Sequence, residues 1–406
     1  MGTTTSSSQP NGVGETTKPT RRKTPTSLPA LLDPFELEVN AMILNDDSAL
    51  PIPAPVEDDA LSRGHQRGRV EDYYKVEATP LGRGHYATVW RGECRQTHQP
   101  VAIKKIKRAL TDETRVRAEI SALRRIQRHP HIVTLLDVFE TPREVVLVME
   151  LCTGGELFER LASRGPYSEM DCVRHVRHLA EAVAFMHANN IVHRDLKPEN
   201  ILLSTPDDAV ATIKIADFGL AKLNTTTMKT KCGTWGYSAP EMMSGGSTAA
   251  FGYDAKVDSW SLGTILYILL CGFHPFDPQG NRSDNDMMAA IKQCKYDFED
   301  NAWQGLSAQS KDLIRHLLVL DPTERYSMSD LLRHPWITGQ AGVEIPIGPL
   351  SPTIHTDLAR FHLRSKERML SYEEDETEER SKQGTSRSSP DFTRSSKDSS
   401  ENVPSK

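Results

Sequence analysis

The stretch His193-Arg194-Asp195-Leu196-Lys197-Pro198-Glu199-Asn200 places an acid, a lysine, a second acid and an amide within six consecutive residues. Asp195 and Asn200 stand five residues apart in what reads as an ordered loop. A short strand-like run follows, and then Asp217-Phe218-Gly219. A carboxylate, an amide and a second carboxylate are suitable oxygen ligands and positioning groups for Mg²⁺-ATP. Magnesium favours a few carboxylates together with phosphate oxygens and water.

Upstream lies Leu81-Gly82-Arg83-Gly84-His85-Tyr86-Ala87-Thr88-Val89. Glycines let a backbone approach phosphates and offer N–H groups to them. Ala87 stands at the third glycine position, and no Gly-Lys-Ser/Thr follows, so this is not a Walker loop. Next is Val101-Ala102-Ile103-Lys104, a strand-like run. Its lysine either points to solvent or pairs with Glu119. Glu119 falls in a helical stretch, Glu113 to Ile126, whose apolar positions Val116, Ile120, Leu123 and Ile126 recur at helical spacing. Any one of these elements alone is a turn, a cap or a surface charge. Four of them in this order are not a chance arrangement.

The chain has 406 residues, of which 37% are hydrophobic and 26% charged, with a formal charge of -6. That size allows one large domain or two ordinary ones with length to spare. The negative balance argues against a general nucleic-acid binder. Six scattered cysteines without a CxxC pair imply neither a zinc site nor a disulfide framework, and hence a reducing compartment, cytoplasmic or nuclear. The apolar run Ile265 to Cys271 is too short to span a bilayer and reads as a buried helix. His175 and His178 lie one helical turn apart without an evident third ligand, and read as a surface pair.

Composition divides the chain. Residues 1–72 are rich in Ser, Thr and Pro and are expected to be disordered. Met1-Gly2-Thr3-Thr4-Thr5-Ser6 fits an N-myristoylation pattern, against a bland Thr/Ser-rich start. Residues 73–337 begin with strand-like runs and turn mostly helical after Gly155, which suggests two lobes with a ligand cleft between them. Residues 338–371 comprise a Gly/Pro linker and a helix from 354 to about 371. Residues 372–406 are an acidic run followed by a Ser/Lys-rich tail expected to be disordered.

The four motifs together resemble the eukaryotic protein kinase family, over about residues 73–337. The resemblance implies an α+β bilobal fold, with a small β-rich lobe carrying one main helix and a larger helical lobe. It implies ATP and Mg²⁺ as cofactors. Asp195 would accept or orient the substrate hydroxyl proton, and Lys197 would neutralise the phosphate in transit. Asn200 and Asp217 would hold the metal. Lys104, paired with Glu119, would grip the α- and β-phosphates. Leu81, Gly82, Gly84, Val89 and Ala102 would enclose the nucleotide, with a hinge from Glu150 to Cys152 and Met149 behind it. Lys197, two residues after Asp195, is the serine/threonine-type variant. Glu241 of Ala239-Pro240-Glu241 should pair with Arg325, and Asp258 should brace the catalytic loop. A pseudokinase that keeps the fold as a scaffold is the alternative, but such chains usually lose the Lys or Asp residues intact here.

Gly154-Gly155-Glu156-Leu157-Phe158, Leu270-Cys271-Gly272-Phe273-His274-Pro275-Phe276 and Asp321-Pro322-Thr323-Glu324-Arg325-Tyr326 resemble the calcium/calmodulin-dependent group. In that group Glu156 and Glu199 would attract an arginine three residues before the target Ser/Thr. Thr230, two residues before Cys232-Gly233-Thr234, would be a regulatory phosphosite for an upstream kinase or for autophosphorylation. Arg194 would pair with its phosphate. Trp235 departs from the group, which usually has Pro there, and leaves the shape of the substrate platform open. The basic, partly amphipathic segment 358–370 resembles an autoinhibitory and calmodulin-binding helix; the bland alternative is a solvated helix packed on the lower lobe. The expected partners are therefore protein substrates, calmodulin and an activating kinase, with no nucleic acid and no transmembrane segment.

Overall fold

The computed structural model describes residues 65–385 except 67, 85–86, 127–128, 165–166, 209, 219–234, 244–250, 340–343 and 347. The side chains of 65–66, 251–254 and 369–385 are likewise outside the description.

The first lobe is a six-stranded sheet. In chain order it comprises β1 (His65–Gln66), helix α1 (Val70–Tyr73), β2 (Tyr74–Arg83), β3 (Ala87–Cys94), β4 (Pro100–Lys107), helix α2 (Glu113–Ile126), β5 (Leu135–Glu140) and β6 (Glu144–Glu150). The spatial order is β1-β5-β6-β4-β3-β2, antiparallel except for the β1–β5 pair. Side chains alternate across it with period two. Val101, Ile103, Phe139, Val146 and Val148 form one buried layer. Ile106, Val138, Val145 and Leu147 turn to the opposite face, where α2 packs Val116, Ile120 and Leu123.

The outer layer explains why order begins before Tyr73, where the sequence reading placed it. Val70 and Tyr74 are buried against Phe139 and its neighbours. Lys105 holds Glu71 at 3.0 Å, and Arg95 Nε donates to the Glu71 carbonyl at 3.0 Å. One short turn carrying two apolar side chains is enough to cover the layer, and it is too short to show a period.

The second lobe is helical. It contains α3 (Leu157–Arg164), α4 (Glu169–Ala188), the strand pair β7 (Ile201–Leu203) and β8 (Ile213–Ile215), α5 (Pro240–Met243), α6 (Phe251–Cys271), α7 (Asp284–Lys292), α8 (Ala308–Leu317), α9 (Met328–Arg333) and α10 (Pro335–Thr338). Ser168 caps α4, its side chain accepting the Asp171 N–H while Asp171 returns a bond to the Ser168 N–H. Residues Val257 to Cys271 of α6 are buried on every side, as expected of a helix without a polar face at the centre of a domain.

Helix α11 (Pro352–Thr385) closes the described chain. It overrides the expectation of a helix ending near 371 and a disordered acidic tail from 372. No glycine or proline occurs between Pro352 and Gly384, and the Glu, Lys and Arg residues in between favour helix. Its first turns are core: Ile354 and Leu358, with Leu350 just before the helix, are buried with the large cluster of the second lobe. Among the described residues no helix is long and apolar enough to cross a membrane.

Candidate active site

The loop 193–200 is held from below by one buried carboxylate. Asp258, on α6, accepts the N–H of His193 at 3.0 Å and of Arg194 at 2.8 Å, and pairs with His187 Nε2 at 2.8 Å. Burial alone would raise its pKa, but the His187 bond and the neighbouring donors outweigh that and hold the carboxyl below its ordinary value. These bonds fix Arg194 at φ 66°, a left-handed backbone that non-glycine residues adopt at a cost. His193 accepts the Asp195 N–H at Nδ1 (3.3 Å), so its Nε2–H donates to the Ala216 carbonyl at 3.2 Å. That bond links the loop to the segment carrying Asp217, itself at φ 58°.

Asp195 and Lys197 meet at 3.1 Å. Asn200 Nδ2 donates to the Asp195 carbonyl at 2.7 Å, which commits the amide nitrogen inward and leaves Asn200 Oδ1 as the acceptor on the other side. Asp195 is 8% exposed, and its Oδ1 is buried without a hydrogen-bond partner among the described residues. Burial raises the Asp195 carboxyl, only partly offset by Lys197. For Lys197, burial works against the charge, but Asp195 and Glu199 outweigh it and push the ammonium up. A buried, orphaned carboxylate oxygen beside a lysine is suited to receive a proton from an incoming hydroxyl.

Lys104 projects from the inner face of β4, the face toward α2. Glu119 lies on the buried stripe of α2, so the two meet at 2.7 Å, and Asp217 Oδ1 lies 2.8 Å from the same ammonium. The Lys104–Glu119 pairing is therefore present, and the solvent-facing alternative is ruled out by a Lys104 exposure of 6%. Burial lifts the Glu119 carboxyl, against the pull of Lys104. Gly82 pairs with Val89 across β2 and β3, and Val89 in turn pairs with Lys104. A Cβ on Gly82 would meet no atom within 4 Å, so the strand faces open space there. Leu81 is exposed at the same edge. Ala102 sits opposite Met149 in the β4–β6 register. The hinge is pinned: Glu150 Oε1 accepts from Lys214 Nζ at 2.8 Å and from the Thr134 N–H at 2.7 Å. Cys152 is half-buried, and burial pushes its thiol up to about 12. Small residues along two strands, a buried lysine, an amide oxygen and a carboxylate form a donor set that fits a metal-bound nucleotide.

Glu156, the residue before α3, and Glu199, in the loop 193–200, approach the same region. Burial raises both carboxyls; Glu199 adds to the effect on Glu156, and Lys366 opposes it. Glu199 Oε2 is buried without a hydrogen-bond partner among the described residues. Helix α11 lies across Glu156: Lys366 Nζ is 3.7 Å from Glu156 Oε1 and 3.2 Å from Glu159 Oε2, and His362 Nδ1 is 3.9 Å from Glu156 Oε2. Phe361 stacks on His274 at 6.4 Å. Residues 358–368 are thus packed on the lower lobe, as the bland reading of 358–370 expected, and they also cover an expected recognition residue. Glu159 was missed because a lone acid on a surface helix carries no signal in sequence.

Beyond the loop, Arg325 pairs with Glu241, as expected. Trp235 and Tyr237 belong to a short 3-10 turn whose carbonyls are held by Ser261 (2.8 Å to Tyr237) and His274 (3.1 Å to Gly236). Thr230, Thr234 and Gly219 lie outside the described residues, as does Gly2. His178 is not part of a surface pair. Its ring stacks on His131 at 4.2 Å, and Glu181 offers a third ligand atom within 4.8 Å of both. His131 comes from a loop 47 residues upstream, a juxtaposition that helical spacing does not reveal. The two rings are within 15° of parallel, so their in-plane lone pairs do not converge. The five cysteines among the described residues are free thiols.

Comparison with known proteins gives the following. Residues 74–337 match the family model described as protein kinase domain. The chain is 44% identical over 321 residues to calcium/calmodulin-dependent protein kinase type IV of Homo sapiens, covering 79% of this chain and 65% of that protein. It is 41% identical over 321 residues to calcium/calmodulin-dependent protein kinase type 1B of Rattus norvegicus, covering 76% of this chain and 91% of that protein. It is 42% identical over 273 residues to myosin light chain kinase A of Dictyostelium discoideum, covering 66% of this chain and 89% of that protein. The chain thus spans less than two thirds of the type IV relative.

Proposed function

Because the chain belongs to the protein kinase family, within its calcium/calmodulin-dependent serine/threonine group, we propose that it transfers the γ-phosphoryl group of ATP to serine or threonine of basic protein sites. The observation that carries this reading is the convergence of Asp195, Lys197, Asn200, Lys104 and Asp217 at the junction of the two lobes.

Asp195 orients the substrate hydroxyl and takes its proton at the carboxylate. Lys197, kept cationic by its two acidic neighbours, faces the charge that develops during transfer. Lys104 binds the α- and β-phosphates, and Glu119 sets the position of its ammonium. Asn200 Oδ1 and Asp217 would hold magnesium, which when bound supplies positive charge to the phosphate oxygens. Leu81, Gly82, Gly84, Val89 and Ala102 enclose the nucleotide, and the hinge Glu150 to Cys152 lines its base. Most of the catalysis is positioning and charge stabilisation, which rigid, braced side chains supply.

Glu156 and Glu199 take an arginine three residues before the acceptor; the unpartnered Glu199 Oε2 supports this, since a buried carboxylate oxygen calls for a cation or donor. Helix α11 restrains the enzyme by lying over Glu156, and calcium–calmodulin releases it by taking the basic, Phe361-bearing face of 358–370. Phosphorylation of Thr230, by an upstream kinase or by the enzyme itself, pairs with Arg194 and completes activation. The location is cytoplasmic or nuclear, and N-myristoylation at Gly2 would add a weak membrane association.

The test is transfer of labelled γ-phosphate to a peptide with arginine at −3, comparing wild type with Asp195→Asn. Wild-type transfer no greater than the mutant's, even with calcium–calmodulin and an upstream kinase present, refutes the activity. Calcium-dependent retention of the full chain on immobilised calmodulin tests the partner; equal retention with and without calcium removes it.

A further inference from the structure

The loop after α6 offers backbone carbonyls to the helix that covers it. Arg364 Nη1 donates to the Gln279 carbonyl at 2.6 Å. One turn on, Arg368 Nη2 donates to the Arg282 carbonyl at 2.8 Å, with Asp284 Oδ1 at 3.7 Å; its Nη1 lies 3.8 Å from Asp277 Oδ2. Two carboxylates and a carbonyl thus surround one guanidinium.

One wall of the slot is fixed within the loop itself. Asp277 is 4% exposed, and its Oδ1 accepts the N–H groups of Asn281 and Arg282, each at 3.1 Å. Those bonds fix the carboxylate and direct Oδ2 to the arginine. A turn cap explains one oxygen; the other is turned to a cation, here Arg368. Asp284 opens α7, where an acid suits the helix dipole, but it also faces the same guanidinium. The slot is continuous with the recognition region. A single cavity of about 730 Å³ is lined by Glu199, Trp235, Tyr237, Asp277, Asp284 and Arg368.

We propose that Asp277 and Asp284 form a second acidic subsite of the peptide groove, taking a guanidinium of the protein substrate distinct from the arginine at −3. Arg368 holds that place while α11 is docked, so tail and substrate compete for it. The proposal rests on the reading of the chain as a kinase of basic protein sites, and it adds a second point of charge recognition along the cavity that Glu199 lines. Fixing two charges at separated points sets the register of a peptide as well as its affinity.

The experiment uses the full chain carrying Arg368→Ala, which vacates the slot. The substrates are a peptide with arginine at −3 only and a series in which a second arginine is walked through the other positions. The expected result is one position, or two adjacent ones, at which the second arginine lowers KM about threefold or more with kcat little changed. Adding Asp284→Asn removes most of that gain and leaves the −3 effect in place. Asp277→Asn does the same, with thermal unfolding to check that the turn survives; Asp284 is exposed enough to serve as the safer variant. A second arginine that changes KM at no position overturns the proposal, as does a gain that persists when both aspartates are replaced. Loss of the −3 effect with the second effect intact would instead overturn the −3 reading and leave this one standing.

Discussion

Arg325 donates to Glu241 through both arms of its guanidinium, Nη1 to Oε1 at 2.7 Å and Nη2 to Oε2 at 3.0 Å. The arginine side chain is fully buried, lies over Trp260 at 5.1 Å, and also donates to the carbonyls of Val319 and Lys256. The pair therefore ties the first turn of α5 to the loop after α8.

Glu241→Gln should destabilise the fold strongly, because it leaves a buried guanidinium without its counter-charge. Breaking such a pair from one side costs about 3–5 kcal/mol. The carbonyl acceptors that remain argue for the lower end, about 3 kcal/mol, or a Tm fall of roughly 6–12 °C. Urea unfolding of the two proteins measures it. A loss below about 1 kcal/mol would mean that the carbonyls alone satisfy Arg325.

Asp195→Asn should abolish transfer and yet raise stability at neutral pH. Burial lifts the Asp195 carboxyl above its ordinary 3.8. The folded state then holds that proton more tightly than the unfolded one. Its stabilising contribution is complete below the ordinary carboxylate pKa and is lost as pH rises through the folded value. At pH 8 the ionised, desolvated carboxylate is a cost, and asparagine removes it. The Tm difference, mutant minus wild type, should be positive at pH 8 and shrink toward pH 4. A negative difference at pH 8 would show that the Lys197 contact outweighs burial.

Lys104→Met should lower kcat/KM about 10²–10³-fold, the usual range for one preorganised charge-stabilising donor. Glu119→Gln should cost less, since Lys104 keeps Asp217 at 2.8 Å and is not released. Glu119 acts through Lys104, so the double variant should be no worse than Lys104→Met alone. Additive losses in steady-state kinetics would give Glu119 a separate role.

The residues at the centre of the candidate site were legible in part through local spacing, while their roles came from the family resemblance. Asp195, Lys197 and Asn200 share one loop, and the structure adds Glu119 to the buried stripe of α2. The Glu241–Arg325 pair and the Asp258 brace were reached through family resemblance, not spacing. What stayed illegible depends on contacts between distant segments. Val70 covers a sheet layer that only exists once β4, β5 and β6 are paired. His131 reaches His178, and Asp277 reaches Arg368, across many residues and without a shared period. The acidic run 373–379 misled by composition: charge suggested disorder, while the absence of glycine and proline allowed α11 to continue.

The docking of α11 predicts a graded response from two glycines. Gly272 has φ +86°, and a Cβ there would stand 2.5 Å from the Ile354 carbonyl, a backbone atom that cannot swing aside. Gly280 has φ +68°, but its Cβ would meet Arg364 Nη1, the end of a flexible side chain. Both alanines carry the left-handed backbone cost of about 1–2 kcal/mol. Only Gly272→Ala also drives α11 off its seat. Lys366→Glu should loosen the same helix more mildly: its pairs with Glu156 and Glu159 are partly exposed, and such pairs are worth at most about 1 kcal/mol, or roughly fivefold. Hydrogen exchange across residues 352–368 should therefore rise most in Gly272→Ala, less in Lys366→Glu and least in Gly280→Ala. Calmodulin-independent activity toward a peptide with arginine at −3 should follow the same order. Faster exchange in Gly272→Ala without higher activity would separate docking from restraint, and α11 would then be a structural brace only.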